Sequence, residues 1–377
     1  MRLNISRKPA MLRVLRASPR VPPLIGGQEI HVAELSRSLA DLGVEQTLLF
    51  AEGAPDIPSV NIIKLPVPAN PSNIARDALF GARLATYPVG GFQVVHTHGD
   101  APVARGGAIA ARRMGATHFH TFHGDLVHRG LRAAVLRTLL PKRSWYLTVS
   151  RQVAGSLVLA GAIPDRIFVR TSGVRAEFFR PSAAERRPDV VLGGRLIPEK
   201  RILDSVRSWA GTDTGDSRLL VFGAGPEAAA LWDVAERTDN VVWLGEIGAG
   251  ALSEVLTTAA VGVVMGRLPS ARSSNEGTPT LALEMLAAGC YPVVGPTTGE
   301  VPRIIRDARF GEVSDQLPAL VGVADLAVRC AGSKMDIERG RVRSDMESHF
   351  SWVAVAAEIK NYYERLLALS ATRSDRT

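Results

Sequence analysis

The chain has 377 residues, 46% of them apolar, which suggests roughly two domains of about 150 residues each. Its net charge of +8 favours anionic partners: phosphorylated ligands, an anionic membrane face or nucleic acid. Cys290 and Cys330 are the only cysteines, so no zinc spacing or disulfide framework can be built, and no run of about 18 apolar residues marks a membrane-spanning helix.

Residues 1–22 are basic and lack the apolar core of a signal peptide, so a reducing, cytoplasmic location is expected. Residues 11–18 read as a strand and 20–27 as a Pro/Gly loop. Residues 28–42 carry Ile30, Val32, Leu35, Leu39 and Leu42 near helical period. Strands at 45–50 and 60–65, a helix within 73–87, a strand at 92–98 and a helix near 101–114 follow. A strand at 118–122, a helix near 129–140, a strand at 145–149, a helix over 152–160 and a strand at 166–170 complete the first half. Residues 180–188, charged and with two prolines, read as a linker. The alternation then restarts, with strands at 190–192, 218–222, 241–244, 261–264 and 291–294. Helices are expected at 202–209, 227–237, 251–258 and 279–288. The tail 352–369 repeats Val353, Ala356, Ile359, Tyr362 and Leu366 and needs a partner for its apolar stripe. Alternating strand and helix predicts α/β architecture: two doubly wound Rossmann-like domains with ligands at the carboxyl ends of the strands.

Several clusters fall at predicted strand ends. Gly26-Gly27 precedes the first helix and lets backbone approach a phosphate. It is not Gly-x-Gly-x-x-Gly, so a dinucleotide fingerprint is unsupported. His123 ends a strand and can exchange a hydrogen bond with a substrate hydroxyl. His96, His98, His118, His120 and His128 lie nearby, yet no acidic partner completes a ligand set, so metal binding is not expected. Gly193-Gly194-Arg195 with Glu199-Lys200 puts two cations on one loop, Arg as a fork and Lys as a point charge, suited to a diphosphate. Phe222-Gly223-Ala224-Gly225 is a weaker signal that tight packing explains equally well. Glu276 and Glu284 are eight positions apart, with Gly277, Thr278, Pro279 and Thr280 after the first. Pro279 marks a helix start, because proline's missing N–H costs nothing in a first turn. The helix mouth then offers N–H groups to phosphate and carboxylates to hydroxyls.

With these residues in order, the chain resembles the retaining glycosyltransferases of family 4 (glycosyl transferases group 1), which have the GT-B fold of two Rossmann-like domains facing a cleft. The resemblance runs from about residue 14 to 367. Its most specific part is Glu276 to Glu284 with Met285-Leu286-Ala287-Ala288-Gly289; Gly194-Arg195 and Glu199-Lys200 come next. His123-Gly124, Ser172-Gly173-Val174 and Phe350-Ser351-Trp352 also match. The resemblance implies an acceptor-binding domain at 1–182, a nucleotide-sugar domain at 183–351, and a last helix, about 352–370, packed back on the first. It also implies that Arg195 and Lys200 stabilise the leaving diphosphate and that Glu284 holds ribose hydroxyls. Glu276 and His123 would meet the transferred sugar. Gly26, Gly27 and the backbone of Gly277, Thr278, Pro279 and Thr280 would line the donor. Three positions depart from the family's pattern: Arg201 stands where Gly usually follows Lys, Ser172 where Asn is usual, and Glu300 where a second Gly is common.

The implied activity is transfer of a hexosyl group, with retention, from a nucleotide-diphosphate sugar to a glycan, lipid-linked or small-molecule acceptor in polysaccharide or glycoconjugate biosynthesis. No cofactor or metal is required. A nucleotide-sugar epimerase is the alternative on the same fold. A nucleic-acid binder rests on net charge alone, with aromatics at 6% and no binding motif. Arg112, Arg113, Arg129, Arg132, Arg137, Lys142 and Arg143 suggest peripheral contact with the inner face of a membrane.

Overall fold

The computed structural model describes residues 11–24, 26–68, 72–88, 90–124, 134, 137–266, 277–315, 319–333 and 335–374. They fall into two compact units. One holds residues up to Thr148 with Ala154–Arg170 and Val355–Thr377; the other holds Val149–Val153 and Thr171–Ala354.

The first unit is a seven-stranded parallel sheet of β1 (Arg13–Arg20), β2 (Glu45–Glu52), β3 (Val60–Lys64), β4 (Val94–His98), β5 (Thr117–Phe122), β6 (Trp145–Thr148) and β7 (Ile167–Val169). Its order is β3-β2-β1-β4-β5-β6-β7. The crossover helices are α1 (Gly27–Asp41), α2 (Asn73–Thr86), α3 (Ala101–Met114) and α4 (Arg151–Leu159). Alternation along β1 sends Leu15 and Ala17 into one core with Phe80, Leu84 and Val95. Arg16 points to the opposite face, fully buried.

The second unit repeats the plan with six parallel strands, β8 (Arg187–Arg195), β9 (Leu219–Ala224), β10 (Val241–Trp243), β11 (Ala259–Val264), β12 (Tyr291–Val294) and β13 (Glu312–Val313), in the order β10-β9-β8-β11-β12-β13. Its helices are α5 (Ile202–Ala210), α6 (Ala228–Ala235), α7 (Ala249–Thr258), α8 (Thr280–Ala288), α9 (Val301–Ala308), α10 (Val323–Cys330) and α11 (Asp336–Phe350). Both faces of the sheet are covered. Val190 and Leu192 pack into one core and Val191 into the other, which is why β8 reads as an unbroken apolar run.

The last helix, α12 (Trp352–Ser374), joins the first unit from Val355 onward. Tyr363, fully buried, bonds His96 Nδ1 at 2.5 Å, and Lys360 Nζ donates to the Leu42 carbonyl at 3.0 Å. No helix among the described residues is long and apolar enough to cross a membrane.

Three expectations shift. Residues 171–182, expected with the first domain, cluster with the second unit, and the linker segment 180–188 already contains the start of β8. Pro279 precedes α8 as its N-cap instead of opening its first turn. The helix expected near 129–140 lies mostly outside the described residues. The helices α9, α10 and α11 were not anticipated. In α11 the polar Asp336–Phe350 stretch buries only Arg339, Val342 and Met346, too sparse a stripe to read.

Two motifs separated by some 180 residues turn out to be one contact. Val174 N donates to the Phe350 carbonyl at 2.7 Å, and Trp352 N donates to the Val174 carbonyl at 3.3 Å. A Cβ on Gly173 would stand 2.5 Å from the Trp352 ring. Gly173→Ala is therefore expected to lose about 1–3 kcal/mol by overpacking. The pair Gly173→Ala with Trp352→Leu should lose less than the sum of the two single changes, measured by denaturant unfolding.

Candidate active site at the strand ends

In the second unit, β8 and β11 are hydrogen-bonded neighbours at the point where strand order reverses, the place where open parallel sheets bind ligands. Arg195 ends β8 with an exposed side chain. Lys200 follows in the 3-10 turn Pro198–Lys200. That turn is anchored: Leu196 N donates to the Ala224 carbonyl at 2.8 Å, and Lys200 N to the Ile197 carbonyl at 2.9 Å. Arg201 takes the left-handed backbone, φ 55°, where the family's usual Gly would sit without strain. Its guanidinium pairs with Asp204 at 3.3 Å.

Gly223 and Gly225 serve packing. A Cβ on Gly223 would meet the Gly194 carbonyl oxygen at 1.9 Å, and one on Gly225 the Leu196 carbonyl oxygen at 2.3 Å. The β8 and β9 ends can lie together only because both positions are glycine.

Across the switch point, Gly277, Thr278 and Pro279 lead into α8, all partly exposed. Thr278 fixes the approach: its hydroxyl donates to the Val149 carbonyl at 2.7 Å and accepts from Glu300 N at 3.3 Å. Pro279 supplies no side-chain cap, so the first-turn N–H groups of α8 point outward with the positive end of the helix dipole. Glu284 lies one turn further in. It keeps some solvent contact, but burial pushes its carboxyl up to about 7, with Arg175 pulling down and Glu177 pushing up. Glu276 lies outside the described residues.

Glu300, the odd residue at a position where Gly is common, has a structural task. It accepts from Arg151 N at 2.7 Å and pairs with Arg303 at 3.0 Å.

In the first unit, β1 and β4 form the corresponding switch point. Gly26 and Gly27 follow β1. A Cβ on Gly26 would strike the Glu29 carboxylate at 2.2 Å, whereas one on Gly27 would meet nothing within 4 Å. Gly27 thus leaves open backbone, and packing does not demand a glycine there. His123 follows β5, with the His31 ring 4.7 Å from its own.

The strand histidines are buried and satisfied. His118 and His120 share Thr97 Oγ1 at 3.0 and 2.7 Å, and His96 Nε2 reaches Thr121 Oγ1 at 2.7 Å. On the other face, the fully buried Arg16 donates to His98 Nε2 at 2.7 Å, to Ser36 Oγ at 2.6 Å and to the Val32 carbonyl at 3.1 Å. A guanidinium can only donate, so His98 Nε2 accepts and His98 carries its proton on Nδ1. That N–H faces His123 Nε2 at 3.3 Å, leaving the His123 proton on Nδ1. Burial, and secondarily the Arg16 charge, lowers His123 to about 3, so the ring is neutral at ordinary pH. Nitrogens of His31, His98 and His123 come within 4.8 Å of one another, a metal-like cluster. Arg16 takes Nε2 of His98, the ring's Nδ1 faces His123, and a divalent ion among the three rings would stand near that buried guanidinium.

Arg195 and Lys200 thus follow β8, and Gly277–Thr280 and Glu284 stand at the start of α8, in the second unit; Gly26 and Gly27 follow β1 and His123 follows β5, in the first. Sequence reasoning missed Arg16, Glu29, Asp77 and Asp100. A charged residue inside the apolar run of β1 was the available signal for Arg16.

Two family profiles match the chain, one in each half. The profile described as Glycosyltransferase Family 4 matches residues 25–178, and that described as Glycosyl transferases group 1 matches residues 187–329. The chain is similar to a D-inositol 3-phosphate glycosyltransferase of Acidothermus cellulolyticus, 26% identical over 96% of this chain and 91% of that one. It is also similar to a 2-deoxystreptamine N-acetyl-D-glucosaminyltransferase of Streptomyces fradiae, 29% identical over 84% of each. Among solved structures, Anabaena HepE in complex with UDP and glucose superposes with a TM-score of 0.69 at 13% identity, over 94% of this chain and all of that one.

The raised carboxyl of Glu284 has a stability consequence. The folded chain keeps this proton between about 4.5, its ordinary value, and about 7, where the unfolded chain has lost it. The group's contribution to stability therefore falls as pH rises through that window. Glu284→Gln removes the slope: its melting temperature should exceed that of the wild type by more at pH 8 than at pH 5.

Proposed function

The chain belongs to the glycosyltransferases of family 4 and group 1, and we propose how its residues divide the transfer of a sugar from a nucleotide-diphosphate donor. The observation that carries this reading is the second unit's switch point: two cations on the β8 side, and a helix mouth with a carboxylate one turn inside it on the β11 side.

The donor diphosphate lies between Arg195 and Lys200 and the N-terminus of α8. Glu284 accepts the ribose hydroxyls, and Glu276 accepts hydroxyls of the sugar. In the reaction the bond between the anomeric carbon and the phosphate oxygen breaks, and its electron pair stays with the diphosphate. Positive charge grows on the ring and negative charge on the leaving group, where the two cations act. The acceptor oxygen bonds to the anomeric carbon on the face the leaving group departs from, and its proton passes to the departing phosphate. Configuration is then retained with no protein nucleophile. The positive charge comes from side chains, so we assign no metal to the reaction. The neutral His123, its Nδ1–H fixed by the Arg16–His98 relay, offers a hydrogen bond to the sugar. Gly27 lets its backbone approach the donor. The first unit holds the acceptor.

Arg195→Ala, Lys200→Ala and Glu276→Gln should each lose at least about tenfold in turnover, or about 1.4 kcal/mol of barrier. The measurement is release of nucleoside diphosphate, with and without chelator, and the chelator should change nothing. Full rates in both cation variants would sink this division of labour.

Exposed Arg112 and Arg113 at the end of α3, with exposed Lys142 and Arg143, support a lesser reading, contact with an anionic membrane surface. Cosedimentation with anionic vesicles should occur at low salt and fade at high salt; no binding at low salt removes it.

A further inference from the structure

Three segments of the second unit close into one hydrogen-bond circuit at the mouth of α8. They are the passage Val149–Val153, the approach through Gly277 and Thr278, and the turn at Thr298, Gly299 and Glu300 after β12. Thr278 Oγ1 donates to the Val149 carbonyl at 2.7 Å and accepts from Glu300 N at 3.3 Å. The Glu300 carboxylate accepts from Arg151 N at 2.7 Å, which returns the circuit to the first segment. Arg303 Nε donates to the other carboxylate oxygen at 3.0 Å.

This circuit sets the helix mouth for two reasons. First, α8 has no cap of its own. Pro279 stands at the N-cap without a side-chain bond, where Ser, Thr, Asp or Asn would ordinarily fix the first-turn N–H groups. The residue before it, Thr278, is held from outside instead, and its only hydroxyl proton is committed to Val149. Second, Gly299 brings the turn against the approach. It takes φ 61°, and a Cβ there would stand 3.0 Å from Thr278 N and 3.1 Å from the Gly277 carbonyl carbon. Glu300 follows, 5% exposed, and its carboxylate secures the turn to residue 151. The Gly that is common at this position in the family offers no such carboxylate.

We propose that Glu300 is a positioning residue for the donor: it acts through Thr278 and holds the first-turn N–H groups of α8 where a diphosphate meets them. The inference rests on the reading of this mouth as the diphosphate site. A mouth held in place before the ligand arrives loses less conformational freedom on binding. A nucleoside diphosphate gains from that order, and a monophosphate, with one phosphate fewer to bond, gains less.

The test is calorimetric titration of the full chain with UDP, GDP and ADP, each against its monophosphate. Wild type should bind one diphosphate at least about tenfold tighter than its monophosphate. Glu300→Gly removes the carboxylate and should cut that ratio about fivefold. Glu300→Gln keeps an oxygen for Arg151 N and should hold the ratio within about twofold of wild type. Thr278→Val removes both hydroxyl bonds at nearly constant volume and should lower the ratio as Glu300→Gly does. The double variant should fall little further, because both changes open the same circuit. Thr278→Val carries the test if Glu300→Gly fails to fold. A role in stability alone would lower the melting temperature and leave the ratio unchanged, and an unchanged ratio in the variants that fold overturns the inference. Wild type separates the two claims. If it prefers no diphosphate over its monophosphate, the donor reading beneath falls; if it does and the variants keep that preference, only the positioning role falls.

Discussion

Parallel pairing is the constraint on which the rest of this molecule depends. Each strand must be followed by a crossover that returns to the same end of the sheet, so every strand in a unit points its carboxyl end the same way. Residues far apart in sequence are thereby delivered to one edge. Arg195 ends β8 beside the carboxyl end of β11, and the carboxyl ends of β1 and β4 lie side by side for the same reason. Burial on both faces is the energetic counterpart. The cores on either side of β8 hold the strands so firmly that loop chemistry can vary without loss of the frame.

The glycines show how that frame is reconciled with function. Gly173, Gly223 and Gly225 are there because backbone or an indole ring occupies the space a Cβ would need. Gly27 meets nothing. Both kinds look identical in sequence, and each falls at a strand end or turn. Only the second kind leaves backbone open to a ligand. The same contrast sorts the departures from the family's pattern. Arg201 accepts a left-handed backbone that Gly would take at lower cost, and Glu300 fills space with a hydrogen bond to the start of α4.

Much of the frame was legible because hydrophobic period and Gly/Pro punctuation are local signals. The β1 to β7 alternation and the register of β8 onward follow from apolar runs such as Val190–Leu192 with glycines after them. The helices after β12 were not legible: α11 is polar around most of its circumference, and tertiary contacts hold it. The donor-side residues could be found because they stand together in short motifs. Glu29, Asp77 and Asp100 could not be grouped, because they stand at the starts of three different helices and carry no motif. Asp77 and Arg76 are adjacent in sequence, a pairing that reads as an ordinary exposed helix face until burial is known.

The histidines make the strongest case for geometry over composition. Six of them stand in the first unit among the described residues, and nitrogens of three, His31, His98 and His123, converge. Arg16 donates to Nε2 of His98 and leaves that ring's Nδ1 facing His123. Burial without a carboxylate partner lowers Arg16 itself to about 10, so its charge persists at any physiological pH. Burial above all, with the Arg16 charge adding to it, lowers His98 and His123, so both rings stay neutral beside that cation.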